Sequence, residues 1–232
     1  MQNESDPENE TARLRGDLLT IATRVSHDLR TPLGGIVTVT ELLRETLQEN
    51  NLPVDLTQTV FNSVDEITHL IKQINFLTRA TADPCPKKLV PMDGIVAVAL
   101  QRLERRILKR QATIVKPDSW PQVHGVAPWL EEVWWNLLIN ALEHTTGELR
   151  VDLSWREMDG SYRFEVSDNG GGVREHIRNG LFRPFYLLHT PDGPPGFGLS
   201  IVQRLIELQG GKCGYEPKSN GSCFFFCFPG NS

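Results

Sequence analysis

No apolar run in the 232 residues approaches the roughly 20 needed to span a bilayer, and the opening MQNESDPENE lacks the basic and apolar regions of a secretory signal. A cytoplasmic chain without membrane contact of its own is the expectation, although a longer parent protein could be membrane-anchored. Cysteine is scarce. Cys85, Cys213, Cys223 and Cys227 form no CxxC pair, so reduced thiols are expected rather than a disulfide framework. Cys223 and Cys227 would share one face of a strand, but the six histidines are scattered without ligand spacing and point to no metal cluster. A strong excess of either charge is missing as well. A formal net charge of -5 gives no general attraction to nucleic acid, and the basic run Arg102, Arg105, Arg106, Lys109, Arg110 reads as a solvated helix face or a docking surface. No repeat of fixed period is visible.

What is present is enough hydrophobic residue, 39% of the chain, for one large or two modest cores. Residues 1–11 are polar and without period, a frayed leader. From about 12 to 48, Leu14, Leu18, Ile21, Val25, Leu29, Ile36, Leu43 and Leu47 recur in steps near three and four, the stripe of a long helix. Asp55 and Gln58 then form a helix-start pair, and Val60, Val64, Ile67, Ile71 and Ile74 carry a second stripe to about 81. Residues 12–82 are therefore expected to make a helical hairpin. A lone hairpin leaves much of its stripe wet, so two copies should pair into a four-helix bundle, a homodimer through this segment. TADPCPKKLVP, with three prolines, marks a linker over 83–91.

Beyond it, 92–230 changes pattern. Helices are expected over 93–110, 127–144 and 198–209, ATIVK reads as a short strand, and ELRVDLSW and YRFEVSD alternate about a Met158-Asp159-Gly160 turn. KCGYEP and SCFFFCF flank Ser219-Asn220-Gly221 as closing strands. The fold class is α+β: the helical hairpin, then helices against a mixed, mostly antiparallel sheet.

Four stretches carry chemistry. In VSHDLRTPLGG, His27 lies off the apolar stripe and should face solvent, with Thr31 one turn on and Asp28 adjacent; Pro32 loosens the helix there. In EEVWWNLLINALEHTTG, Asn136, Asn140 and Glu143 follow at turn spacing as a polar strip, two amides suited to a hydrated Mg²⁺ and bridged phosphates. VSDNGGGV ends a strand at Asp168, whose carboxylate could accept from an exocyclic amine, before Gly170, Gly171 and Gly172. Gly196-Phe197-Gly198 runs into a helix whose free N–H groups form an anion site. The poorly periodic 173–195 between them reads as a lid anchored by Phe182 and Phe185.

Together these stretches resemble the catalytic core of the two-component sensor histidine kinases: SHDLRTPL the H box, NLLINALEHT the N box, DNGGG the G1 box, LFRPF the F box and GFGLS the G2 box. The resemblance covers about 12–229, in family order. It implies a dimerisation and phosphotransfer hairpin followed by an ATP-binding α/β sandwich of the gyrase type, with ATP and Mg²⁺ as cofactors and a response-regulator receiver domain as partner. Position by position, it implies His27 as phosphoacceptor, Asp28 as its base and Thr31 as the residue placing water for regulator dephosphorylation. It implies Asn140 as the Mg²⁺ ligand, Asn136 as a phosphate-side contact and Asp168 as the reader of the adenine amine. Gly170 and Gly172 would shape that pocket, Gly196, Gly198 and Leu199 would border the triphosphate, and Phe185 would hold the lid. Two positions depart from the family: Glu143 stands where Lys or Arg is usual, and Pro194-Pro195 where Gly-Thr is usual. A degenerate kinase kept as a dimeric scaffold is the alternative these departures raise.

Overall fold

The computed structural model describes Leu29, residues 33–50, single positions from 57 to 78, and residues 85–143, 148–158, 160–183 and 198–229. The chain divides into two compact units, Met1–Pro84 and Cys85–Ser232. Among the described residues no helix is long and apolar enough to cross a membrane.

In the first unit, helix α1 runs over 33–49, and the described positions between 57 and 78 are helical and constitute α2. Leu33, Val64 and Ile71 are buried together with Val37 against them. Val64 and Ile71 belong to the stripe expected on the second helix, but Leu33 and Val37 stand outside the stripe expected on the first, so α1 turns a different face to this core. Leu29, Ile36 and Leu43 on one side and Val60 and Ile67 on the other stay exposed, as apolar positions do when one hairpin has too narrow a groove to cover them. Thr38, Thr40 and Thr46 donate their hydroxyls to the carbonyls four residues back, so their oxygens are satisfied inside the helix.

The second unit is a layer of helices on a sheet. Its strands are β1 (Lys88–Pro91), β2 (Thr113–Val115), β3 (Gln122–Gly125), β4 (Arg150–Met158), β5 (Ser161–Asp168), β6 (Lys212–Pro217) and β7 (Ser222–Pro229). Its helices are α3 (Met92–Arg110), α4 (Ala127–Glu143), the single turn α5 (Glu175–Arg178) and α6 (Gly198–Leu208). The five-stranded sheet has the order β2-β4-β5-β7-β6, with β2 parallel to β4 and the other pairs antiparallel. β1 and β3 make a separate antiparallel ladder. This ladder went unforeseen: the last four residues of the expected linker are β1, and QVHG carried no strand signal because four residues give too little alternation to count.

Alternation on β5 and β7 sends Phe164, Val166, Phe224, Phe226 and Phe228 to the helix side, all buried. Trp134 of α4 meets Phe226 edge-on with ring centroids 5.5 Å apart, and Phe164 stacks on Phe226 at 5.0 Å. Helix α4 lies between α3 and α6 and buries Leu130, Val133, Leu137, Leu138, Ala141 and Leu142. The residue before it is held from just beyond the end of α6: Gln209, 1% exposed, accepts the Val126 N–H on Oε1 at 2.7 Å and donates Nε2 to the Leu205 carbonyl. Helix α6 ends where Gly210 turns to φ 84°, with Gly211 N–H on Ile206 O and Gly210 N–H on Glu207 O, the paired bonds of a glycine-terminated helix.

The other sheet face carries charge. Arg163 of β5, 7% exposed, donates to Glu165 at 2.6 Å and to both Glu216 oxygens at 2.9 and 2.7 Å, while its guanidinium carbon sits 3.6 Å from the centroid of the Phe225 ring. Burial alone would lower its pKa, but the bonds it donates to the two carboxylates, with their charge, outweigh that and raise it. Cys213, Cys223 and Cys227 sit wholly or partly buried in the sheet, while Cys85 is exposed. All four thiols are free, and burial pushes Cys213 up to about 12, with Glu207 adding to the effect.

Candidate functional site

Helix α4 shows a gradient along its polar strip: Asn136 is buried at 2%, Asn140 is half-buried and Glu143 is exposed. A polar side chain inside the core requires partners. The Asn136 Nδ2 donates to the Glu132 backbone carbonyl at 2.7 Å and to Glu132 Oε1 at 3.2 Å. Its Oδ1 faces the start of α6, so close that a Cβ built on Gly198 would stand 2.7 Å from it. The asparagine strip and the second glycine motif, 62 residues apart in sequence, thus come into contact, and only glycine leaves room there. Leu199, the next residue of α6, is buried.

The second cluster closes the end of β5. Asp168, 9% exposed, accepts the Gly170 N–H on Oδ1 at 2.8 Å, which folds the chain back at the carboxylate. Asn169 ties the neighbouring strand, accepting from Arg150 N–H at 2.9 Å and donating to Glu148 O at 2.8 Å. Gly172 has φ 73°, and its α-carbon comes so near Gly221 that an added Cβ would meet the Gly221 carbonyl oxygen at 3.2 Å. Gly221, φ 104°, leaves no room at all: its Cβ would fall 1.8 Å from the Asp168 carbonyl oxygen. From the sequence Gly221 read only as a hairpin turn, and nothing local marked it as the floor under Asp168. Two further bonds fix the segment that follows: Tyr215 accepts the Val173 N–H at 3.1 Å, and Arg178 donates to the Val173 carbonyl at 2.9 Å.

Two arginines of α3 also reach α4. Arg102 binds Glu132, and Arg106 binds Glu143. Glu143 is therefore half of an ion pair whose other half is cationic, although both side chains are more than half exposed. Both arginines belong to the basic run read from the sequence as a solvated face or a docking surface, but their pairing with α4 was not legible there, because only packing of α3 on α4 brings them to the polar strip. Of the other foreseen site residues, His27, Asp28, Thr31, Phe185 and Gly196 lie outside the described residues, as do Pro32 and Pro194-Pro195. Gly170 and Gly172 stand beside Asp168 as described.

Among the described residues no group of three or more His, Cys, Asp or Glu could hold a metal ion. The donors on α4 are amide oxygens, which fit a hard cation such as Mg²⁺ that keeps most of its ligands as water and phosphate, and do not fit zinc.

Two family models match the chain. The His Kinase A (phospho-acceptor) domain matches residues 17–83, and the histidine kinase-, DNA gyrase B- and HSP90-like ATPase matches residues 125–232. The chain is 30% identical to the signal transduction histidine-protein kinase/phosphatase MprB of Mycolicibacterium paratuberculosis, over 91% of this chain and 43% of that protein. It is 29% identical to the methanogenesis regulatory histidine kinase FilI of Methanothrix harundinacea, over 88% of this chain and 24% of that protein. It thus spans between about a quarter and under half of these curated relatives. Among solved structures, histidine kinase ThkA in complex with the response regulator protein TrrA matches with a TM-score of 0.66 at 18% identity, covering 99% of this chain and 68% of that one, a likeness of fold.

Proposed function

The chain belongs to the two-component sensor histidine kinases, and from that premise we propose that it phosphorylates itself on His27 with ATP and passes the phosphoryl group to an aspartate of a response regulator. The observation that carries this reading is the contact between Asn136 and Gly198, which joins the polar face of α4 to a helix N-terminus. A helix start offers unpaired N–H groups to phosphate, and the half-buried Asn140 amide faces the same strip. Phosphoryl transfer asks the protein for position and charge neutralisation more than for covalent chemistry. Bound Mg²⁺, held by Asn140, would supply neutralisation of the β- and γ-phosphate charge.

In the proposed reaction the unprotonated Nε2 of His27 attacks the γ-phosphorus. The nitrogen–phosphorus bond forms as the bond to the β,γ-bridging oxygen breaks, ADP leaves, and Asp28 takes up the imidazole proton. A histidine near its reference pKa of about 6.5 is mostly neutral at pH 7, as this step requires. Asp168 accepts from the adenine amine, with Gly170 and Gly172 giving the base access. Gly196, Gly198 and Leu199 border the triphosphate, and Phe185 anchors the lid. Thr31 places water for the reverse service, hydrolysis of the phosphorylated regulator. Two copies pair through 12–82, where the exposed Leu29, Ile36, Leu43, Val60 and Ile67 would be covered.

The scaffold reading draws on Glu143, which puts a carboxylate where a cation is usual; its pairing with Arg106 weakens that objection by placing a cation beside it. Incubation with labelled ATP and Mg²⁺ tests the proposal. Acid-labile, base-stable phosphate on the wild type and none on His27→Ala is the expected result. Absence of both label and nucleotide binding would leave the scaffold.

A further inference from the structure

A line of contacts runs from α3 through α4 to α6. Arg102 donates both terminal nitrogens to Glu132 Oε2, at 3.4 and 3.3 Å, and its guanidinium carbon lies 5.2 Å from the centroid of the Trp135 ring. The other carboxylate oxygen, Oε1, and the Glu132 backbone carbonyl both accept from Asn136 Nδ2. Each of these partners can only accept, so only the NH₂ end of the amide satisfies them. A flipped amide would set its oxygen against two others within 3.2 Å, one of them charged. The backbone carbonyl of Glu132 sets this orientation and its carboxylate holds the second N–H, which together turn Asn136 Oδ1 towards Gly198.

We propose that Arg102 and Glu132 are positioning residues for nucleotide binding: Arg102 steadies the Glu132 carboxylate, and Glu132 fixes the Asn136 amide with an acceptor facing the start of α6. This rests on the reading of the chain as an ATP-dependent kinase. Phosphate oxygens are themselves acceptors, so Asn136 held this way does not bond phosphate directly. It serves a donor instead, a water or a single N–H at the start of α6, and thereby sets where that helix start stands. The α3–α4 pair is then the outer end of the nucleotide site, reached through one buried amide.

The test uses the whole chain with Glu132→Ala, Glu132→Gln, Arg102→Ala and the Arg102→Ala/Glu132→Ala double variant. Three quantities are read: ATP-analogue affinity, the ATP dependence of the autophosphorylation rate, and hydrogen exchange of the Asn136 side-chain NH₂ by NMR without nucleotide. Glu132→Ala should raise the KM for ATP about 10-fold while the maximal rate changes little, the scale expected for one hydrogen bond to a charged group. Glu132→Gln keeps an oxygen for Nδ2 and should recover most of that loss, and Arg102→Ala should have no effect once Glu132 is alanine. Exchange of the Asn136 NH₂ should quicken in Glu132→Ala and not in Glu132→Gln. An unchanged KM, a glutamine variant no better than alanine, or additive effects would overturn the proposal. Wild-type protein that binds no nucleotide would instead defeat the kinase reading, and the exchange measurement would still decide whether Glu132 holds the amide.

Discussion

Replacing Gly221 by alanine should damage the end of β5 far more than the same change at Gly160, though both glycines have positive φ. At Gly160, φ 71°, an added Cβ finds nothing within 4 Å, so the cost is left-handed backbone alone, about 1–2 kcal/mol. At Gly221, φ 104°, the same atom would lie 1.8 Å from Asp168 O and 2.7 Å from its carbonyl carbon. Carbon and oxygen in contact stand about 3.3 Å apart, so strand β7 must retreat from β5 by more than about 1 Å. The register Asp168↔Ser222 sits at that point, and the retreat sacrifices one or two ladder hydrogen bonds at about 1 kcal/mol each. Together with the backbone term and loosened packing, the loss is about 3–5 kcal/mol. For a chain of this size that is a fall in Tm of about 10 °C. All five tryptophans, Trp120, Trp129, Trp134, Trp135 and Trp155, lie in the Cys85–Ser232 unit, so fluorescence in urea follows this unit alone. Nucleotide affinity should fall further than stability, because the displaced carbonyl belongs to Asp168. If Gly221→Ala proves no worse than Gly160→Ala in both assays, the close approach does not constrain the site.

Two other outcomes follow from charge. Glu143→Lys places a second cation beside Arg106; with both side chains more than half exposed, stability should change by less than about 0.5 kcal/mol, while ATP-analogue affinity rises a few-fold and loses that gain in high salt. Unchanged affinity at low salt would mean that the end of α4 lies beyond reach of the phosphates. Glu216 is held below the usual carboxylate range, chiefly by the hydrogen bonds from Arg163. A depressed folded pKa stabilises the fold above the unfolded value of about 4.3 and withdraws that support as pH falls through the depressed one. The urea midpoint followed by tryptophan fluorescence should therefore drop more steeply below about pH 4.3 in the wild type than in Glu216→Gln, by a modest amount because the carboxylate is half exposed and screened. Parallel profiles would remove the Arg163 pair from the account of acid stability.

The sequence by itself determined the order of the longer elements, though not β1 and β3, and marked the stretches expected to carry chemistry. Apolar spacing near 3.6 marked α3, α4 and α6, alternation marked β4 and β5, the Ser219-Asn220-Gly221 turn marked β6 and β7, and Asp168 with its glycines and the asparagine pair stood out because few structural demands place such residues in a row. These are local signals, readable within a dozen residues. Tertiary structure decided whatever depends on neighbours distant in the chain. The helical wheel put Asn136, Asn140 and Glu143 on one polar strip, but α6 covers the strip at Asn136 and leaves it at Glu143, so one amide is buried and the carboxylate is wet. Which end of that amide points at Gly198 is set by Glu132, and which cations meet the strip is set by α3. Gly221 gained its role only when β7 paired with β5. In each case burial and unmade hydrogen bonds, not residue type, select the contact, and a sequence prints residue type alone.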